Sequence, residues 1–164
     1  MKTLTDLLVH QIQDLHSAER QIIDALPDMI DAARDDELTQ ALKDHLDETR
    51  QQKASLEKIA DELGCEVGSH TCKGMKGILE EADEIVEQEA EDDDVQDAAI
   101  VTACQRVEHY EMAGYGSART YARMLDKHDI AATLQEILDQ EQDADERLIR
   151  IAEKHVNRRA IDSR

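Results

Sequence analysis

The sequence has no phenylalanine and no tryptophan, and its three tyrosines, Tyr110, Tyr115 and Tyr121, fall in a single segment. It has one proline and six glycines in 164 residues. With so few helix breakers and an abundance of Ala, Leu, Glu, Asp and Gln, the composition points to an all-α protein. No stretch alternates apolar and polar residues for long enough to argue for a sheet. No run of about eighteen apolar residues is present to cross a bilayer. The opening Met1-Lys2-Thr3-Leu4-Thr5-Asp6 lacks the apolar stretch of a signal peptide, so the expected location is cytoplasmic. Basic residues are scarce: 19 Lys and Arg stand against 39 Asp and Glu, a formal charge of -20. That balance disfavours nucleic acid and anionic membranes as partners, since both are held by clustered Lys and Arg.

The three cysteines are an odd number and argue against a disulfide framework. Cys65, His70 and Cys72 share one Gly-rich loop. Their C-x4-H-x-C spacing matches no common zinc pattern and brings no obvious fourth ligand. Cys104 falls on an apolar helix face and reads as a small core residue.

The length suits one domain over 1–164, carried by four amphipathic segments. The first runs from about residue 3 to 33, opening on Thr3 and Asp6 in capping-box spacing, with Pro27 predicting a kink. The second, capped by Asp35 and Asp36, covers about 36–63. The third covers 95–125 with Asp94 as its N-cap, and the fourth 130–156, before a polar tail expected to fray. The crossover 64–94 carries four of the glycines, a short helix near Met75–Glu89 and an acidic run from Glu87 to Asp94. Short connections within each half make two antiparallel hairpins, and the long link between them gives a ferritin-like four-helix bundle.

Each apolar stripe is broken by acid. Glu19 interrupts the first, Glu48 the second, Glu108 and Glu111 the third, and Glu141 with Asp145 the fourth. A helix that buries one face fills it with aliphatics, and buried charge is costly unless paired or bound to a metal. Glu19 and Glu48 lie at similar offsets from the first turn, as do Glu111 and Glu141 from the second. At about 1.5 Å of rise per residue, the offsets agree to about 3 Å along the axis. The acids are therefore expected to meet at mid-height, where they raise one another's pKa unless a cation sits among them. An oxygen-rich cluster suits Fe, Mn or Mg better than zinc, and Glu residues shared over four helices can hold two metals. The competing reading is that the acids face solvent or pair with Arg20, Arg106 or Arg147, although those three are sequence neighbours and point largely to other faces.

His45, one turn before Glu48, reads as a ligand, as a donor to a ligand or, most simply, as a core histidine. His16 poses the same question before Glu19, and Gln52 after Glu48. Tyr115, one turn from Glu111, reads as a core tyrosine or as a partner of a ligand.

Ser17-Ala18-Glu19-Arg20-Gln21, His45-Leu46-Asp47-Glu48-Thr49 and Val107-Glu108-His109-Tyr110-Glu111-Met112-Ala113 followed by Tyr115-Gly116 resemble the YciF-like family of stress-associated bacterial proteins, a branch of the ferritin-like superfamily. The resemblance covers nearly the whole chain. It implies a four-helix ferritin-like fold, a homodimer and a dinuclear metal centre. The Glu-x-x-His pair common in ferritin-like di-iron proteins is missing, because Gln51 follows Glu48 by three and Ala144 follows Glu141 by three. The expected function is a protein binding two Fe ions, or Mn, that reacts with oxygen or peroxide or handles iron under stress. The alternatives are a non-catalytic stress protein with a structural cation or no metal, and a storage cage.

Overall fold

The computed structural model describes residues 1–87 and 90–162, and its regular elements are all helices. They are α1 (Leu4–Ala32), α2 (Asp36–Leu63), α3 (Lys73–Glu87), α4 (Asp93–Met124) and α5 (His128–Ile151). A π-helical turn at Ala152–Val156 and a last helix, α6 (Asn157–Asp162), complete the chain's regular structure. α1 pairs with α2 and α4 with α5, while α1 also meets α4 and α2 meets α5, which closes a four-helix ring. α3, within the crossover, packs on α1 and α4. This is the ferritin-like bundle with one long crossover. Among the described residues no helix is long and apolar enough to cross a membrane.

Local chemistry sets the ends. Thr3 and Asp6 cap α1 reciprocally, with Asp6 N–H donating to Thr3 Oγ1 at 3.0 Å and Thr3 N–H to Asp6 Oδ2 at 3.1 Å. α1 runs unbroken through Pro27. Asp35 caps α2 by accepting from Leu38 N–H at 2.9 Å, and Gly64 ends it at φ 67°, in the left-handed region. α4 begins two residues earlier than expected, because its cap is Asp92, whose side chain accepts from Asp94 and Val95 N–H. Gln88 and Glu89, where the expected crossover helix ends, lie outside the described residues.

The tail does not fray from Asn157 as expected. The π turn adds a residue to one helical turn and re-aims the helix beyond it. His155 and Arg159 then each reach the Asp35 carboxylate at 2.8 Å, and Arg159 also reaches Asp94 at 2.6 Å. Asp97 of α4 completes this end by accepting from Arg34 and Asp35 N–H, both at 2.8 Å. Ser163 and Arg164 of that tail lie outside the described residues.

The apolar core is split in two. One cluster gathers Ile22, Leu26, Leu42, Val101, Val107 and Leu148; the other gathers Leu8, Leu15, Leu56, Tyr115, Leu134 and Leu138. Along every long helix a set of polar inward residues falls between the two: Glu19 on α1, His45 and Gln52 on α2, Glu108 and Glu111 on α4, Glu141 and Asp145 on α5. The bundle is a polar layer between two aliphatic ones.

Candidate metal centre

α1 and α4 approach closely because Gly114 has no side chain. A Cβ there would stand 2.8 Å from Leu15 Cδ2. The approach brings Tyr115, fully buried on α4, against α1, where its hydroxyl donates to Glu19 Oε1. On the opposite side Gln52 of α2 donates its amide to Glu141 Oε1 of α5 at 2.5 Å and to Gln140 Oε1 at 3.1 Å. His45 Nε2 stands 3.4 Å from Glu108 Oε1. In each of Glu19, Glu108 and Glu141 one carboxylate oxygen has a neighbour and the other, Oε2, has no hydrogen-bond partner. Both oxygens of Glu111 and Nε2 of His45 are likewise without one.

Ligand atoms from His45, Glu108, Glu111 and Glu141 all lie within 4.8 Å of one another, the one such group among the described residues. A metal bonds oxygen or nitrogen at about 2 Å, so ligands on opposite sides of one ion stand about 4 Å apart. The group has the right size. Glu19 flanks it, beside Glu111 and Glu141.

Electrostatics agree with the geometry. Burial, with the nearby Glu141 charge adding to it, pushes the Glu19, Glu108 and Glu111 carboxyls well above the usual range. Burial likewise raises Glu141, to about 7, with Glu108 and Gln52 opposing and Glu48 reinforcing the shift. Burial pushes His45 down to about 4, which leaves a neutral ring at pH 7. The effective penalty for one buried charge is several kcal/mol, against about 5–15 kcal/mol for the stability of a whole domain. Four uncompensated carboxylates would exhaust that stability. Protons or cations must neutralise them.

Among the described residues, the three arginines nearest these acids in sequence do not. Arg106 pairs with Glu81 at 2.8 Å, Arg147 with Asp44 at 2.7 Å, and Arg20 donates to the Gly68 carbonyl at 3.2 Å.

The six acids singled out by the sequence do not all share this environment. Glu19, Glu108, Glu111 and Glu141 are in the layer with essentially no exposure. Asp145 is at its edge, accepting from Gln105 Nε2 at 3.0 Å and lying 3.4 Å from His109. Glu48 is half-buried and lines a cleft between α2 and α5. Its inward place is taken by Thr49, fully buried with its hydroxyl on the His45 carbonyl at 2.7 Å. His16 is buried 3.3 Å from Glu57. Cys65 is half-buried, while His70 and Cys72 are drawn to opposite oxygens of Asp14, at 2.8 and 3.2 Å. Cys104 is in the core near Met29.

The sequence model of DUF892, a domain of unknown function, matches residues 3–161. Protein YciF of Escherichia coli (strain K12) is 37% identical over 161 residues, 98% of this chain and 96% of that protein. The crystal structure of the E. coli stress protein YciF matches the fold with a TM-score of 0.90 over 96% of this chain and 99% of that one. YcfI from Rhodopseudomonas palustris matches with a TM-score of 0.86 at 40% identity, over 90% of this chain and 94% of that one. A protein from Xanthomonas campestris pv. campestris, 20% identical, shares the fold with a TM-score of 0.75 over 97% of this chain and 94% of that one.

Proposed function

The chain belongs to the DUF892 family of YciF-like proteins, and from that premise we propose that it binds two Fe or Mn ions and reacts with oxygen or peroxide, or handles iron, under stress. One observation carries the proposal. The oxygens of Glu19, Glu108, Glu111 and Glu141 that lack a partner, with His45 Nε2, occupy a buried layer in which no Lys or Arg among the described residues pairs with them. A donor set of four carboxylates and one imidazole fits Fe or Mn better than zinc. Ions held there would supply Lewis acidity and redox capacity toward oxygen or peroxide.

The protein's own residues hold that donor set open. Tyr115 and Gln52 each fix one oxygen of Glu19 and Glu141, which orients the other. His45, neutral in its buried position, keeps a lone pair available. In the metal-free protein Glu141, its pKa raised to about 7, gives up its proton near neutral pH, which makes its carboxylate available to a cation. The expected homodimer and cytoplasmic location belong to the same proposal.

A second reading, a single structural cation, draws on the convergence of the four clustered ligand atoms around one point. The experiment that separates the two is stopped-flow mixing of anaerobically Fe(II)-loaded protein with peroxide. The reactive reading expects faster consumption than free Fe(II) gives, with the excess lost in Glu111→Ala. A rate equal to that of free Fe(II), together with metal-dependent thermal stabilisation, supports the structural cation instead.

A further inference from the structure

The sides of the bundle are not equally closed. Between α2 and α5 a cleft of about 370 Å³ includes Ala41 and Ala144 in its walls, Glu48, Asp143 and Arg147, and reaches buried His45 and Glu108. Small residues on both helices leave the gap. At its inner end His45 and Glu108 are more than nine-tenths buried, yet Nε2 of one and Oε2 of the other have no hydrogen-bond partner.

We infer that this cleft is the port by which a divalent cation reaches the carboxylate layer, Glu48 being the first ligand it meets and His45 with Glu108 the receivers. The inference rests on the metal-binding reading of that layer. Carboxylates lining a cleft with low-dielectric walls focus the field and concentrate cations there. Glu48 and Asp143 supply that charge, on a chain of formal charge -20. Arg147 and Arg150 also line the cleft, but each is paired with a further carboxylate, Arg147 with Asp44 at 2.7 Å and Arg150 with Glu146 at 3.5 Å, so with those partners the mouth carries four carboxylates against two guanidiniums and stays negative.

A second void touches His45 and Glu108 from the other side, but it measures about 10 Å³ and its remaining walls are Ile22, Leu26, Met29, Leu79 and other apolar residues. It has no charge to attract a hydrated ion and holds at most one water. On the α1–α4 side the helices pack closely where Leu15 faces Gly114.

The test is uptake of Co(II) by the metal-free protein, followed by stopped-flow absorbance, with the final amplitude giving equilibrium loading. Ala144→Leu fills the cleft without touching a carboxylate. An obstruction on the path slows entry and exit alike, so uptake and chelator-driven release should both slow several-fold at unchanged loading. Glu48→Gln keeps the shape and removes the charge, so its uptake should slow several-fold and respond less steeply to salt. Should either variant fold poorly, the other still decides. Parent-like rates in the folded variants, with full loading of the parent, overturn the port alone. A parent that takes up no Co(II), Fe(II) or Mn(II) overturns the metal reading, and the port with it.

Discussion

Gln52 Nε2 lies 2.5 Å from Glu141 Oε1 and joins α2 to α5 across the polar layer. The amide has nothing to gain from titration. It fixes one oxygen and leaves the other free, so its contribution is orientation. Gln52→Leu should retain the fold and the number of bound ions but weaken metal binding about 10–100-fold, the usual effect of losing a ligand's hydrogen-bond partner. Competition with a calibrated chelator measures this. Affinity equal to the parent's would show that Glu141 needs no orienting partner.

Glu111 is fully buried and neither of its oxygens has a hydrogen-bond partner. Burial, with the Glu141, Glu19 and Glu108 charges adding to it, makes this carboxyl costly to keep in the metal-free protein. Glu111→Leu should therefore stabilise the metal-free protein, on the order of 1–4 kcal/mol by analogy with buried ionic groups replaced by apolar ones. The same change should abolish the stabilisation that metal gives the parent. Urea unfolding with and without Mn(II) reads both effects; a destabilised metal-free variant would mean that the carboxyl has a stabilising partner in solution.

The pH dependence of the metal-free protein has a definite sign. The Glu141 carboxyl titrates near 7 when folded, against an ordinary 4.5, and Glu19, Glu108 and Glu111 are raised as well. The folded state then keeps protons that the unfolded chain has released. The Glu141 part of this contribution is complete below about pH 4.5 and is lost as pH rises through about 7, while Glu19, Glu108 and Glu111 lose theirs as pH rises through their own raised pKa values. His45, pushed down to about 4 from 6.5, acts oppositely as a single group. Four carboxyls outweigh one imidazole, so metal-free stability should fall from pH 5 to pH 7, by about 1.4 kcal/mol per pH unit for each net proton involved. Glu141→Gln should flatten the slope, and a thermal unfolding series across pH tests it.

The far end of the bundle behaves in the opposite way. Asp35 is buried against His155 and Arg159 while capping α2, and its carboxyl is held down to about 2: burial opposes the shift, but Arg159, the Leu38 amide and His155 together overcome it. Its stabilisation is present above about pH 4 and lost as pH falls toward 2, amounting to about 2 kcal/mol for a shift of that size. Asp35→Asn should reduce stability at pH 7 by a similar amount and remove that part of the acid transition. An unchanged urea midpoint at pH 7 would show that the α6 contacts do not depend on this carboxylate.

Much of this was legible in the sequence. The 3.6-residue period, the short hairpin links and the long crossover specify the bundle, and acids on aliphatic stripes mark the polar layer. Glu48 shows where such reading runs out. Residues 48 and 49 lie about 100° apart on α2, near the edge of the stripe, and nothing local reveals that Thr49 rather than Glu48 turns inward. His45 and Gln52 carried signals in their spacing from Glu48, yet their roles depend on Glu108 and Glu141, which are distant in the chain. The helical tail was hidden because its partners, Asp35 and Asp94, lie on other helices and the π turn that aims it has no sequence signature here.

The most direct measurement is metal content. Metal-free protein reconstituted anaerobically with Fe(II), or with Mn(II), then desalted, should retain about two ions per chain by elemental analysis, in keeping with four carboxylates and one imidazole shared over four helices. The Glu19→Ala, Glu111→Ala double variant, shown to be folded by circular dichroism, should retain one or none. A parent that keeps no ion, or a double variant that loads as fully as the parent, would contradict the account.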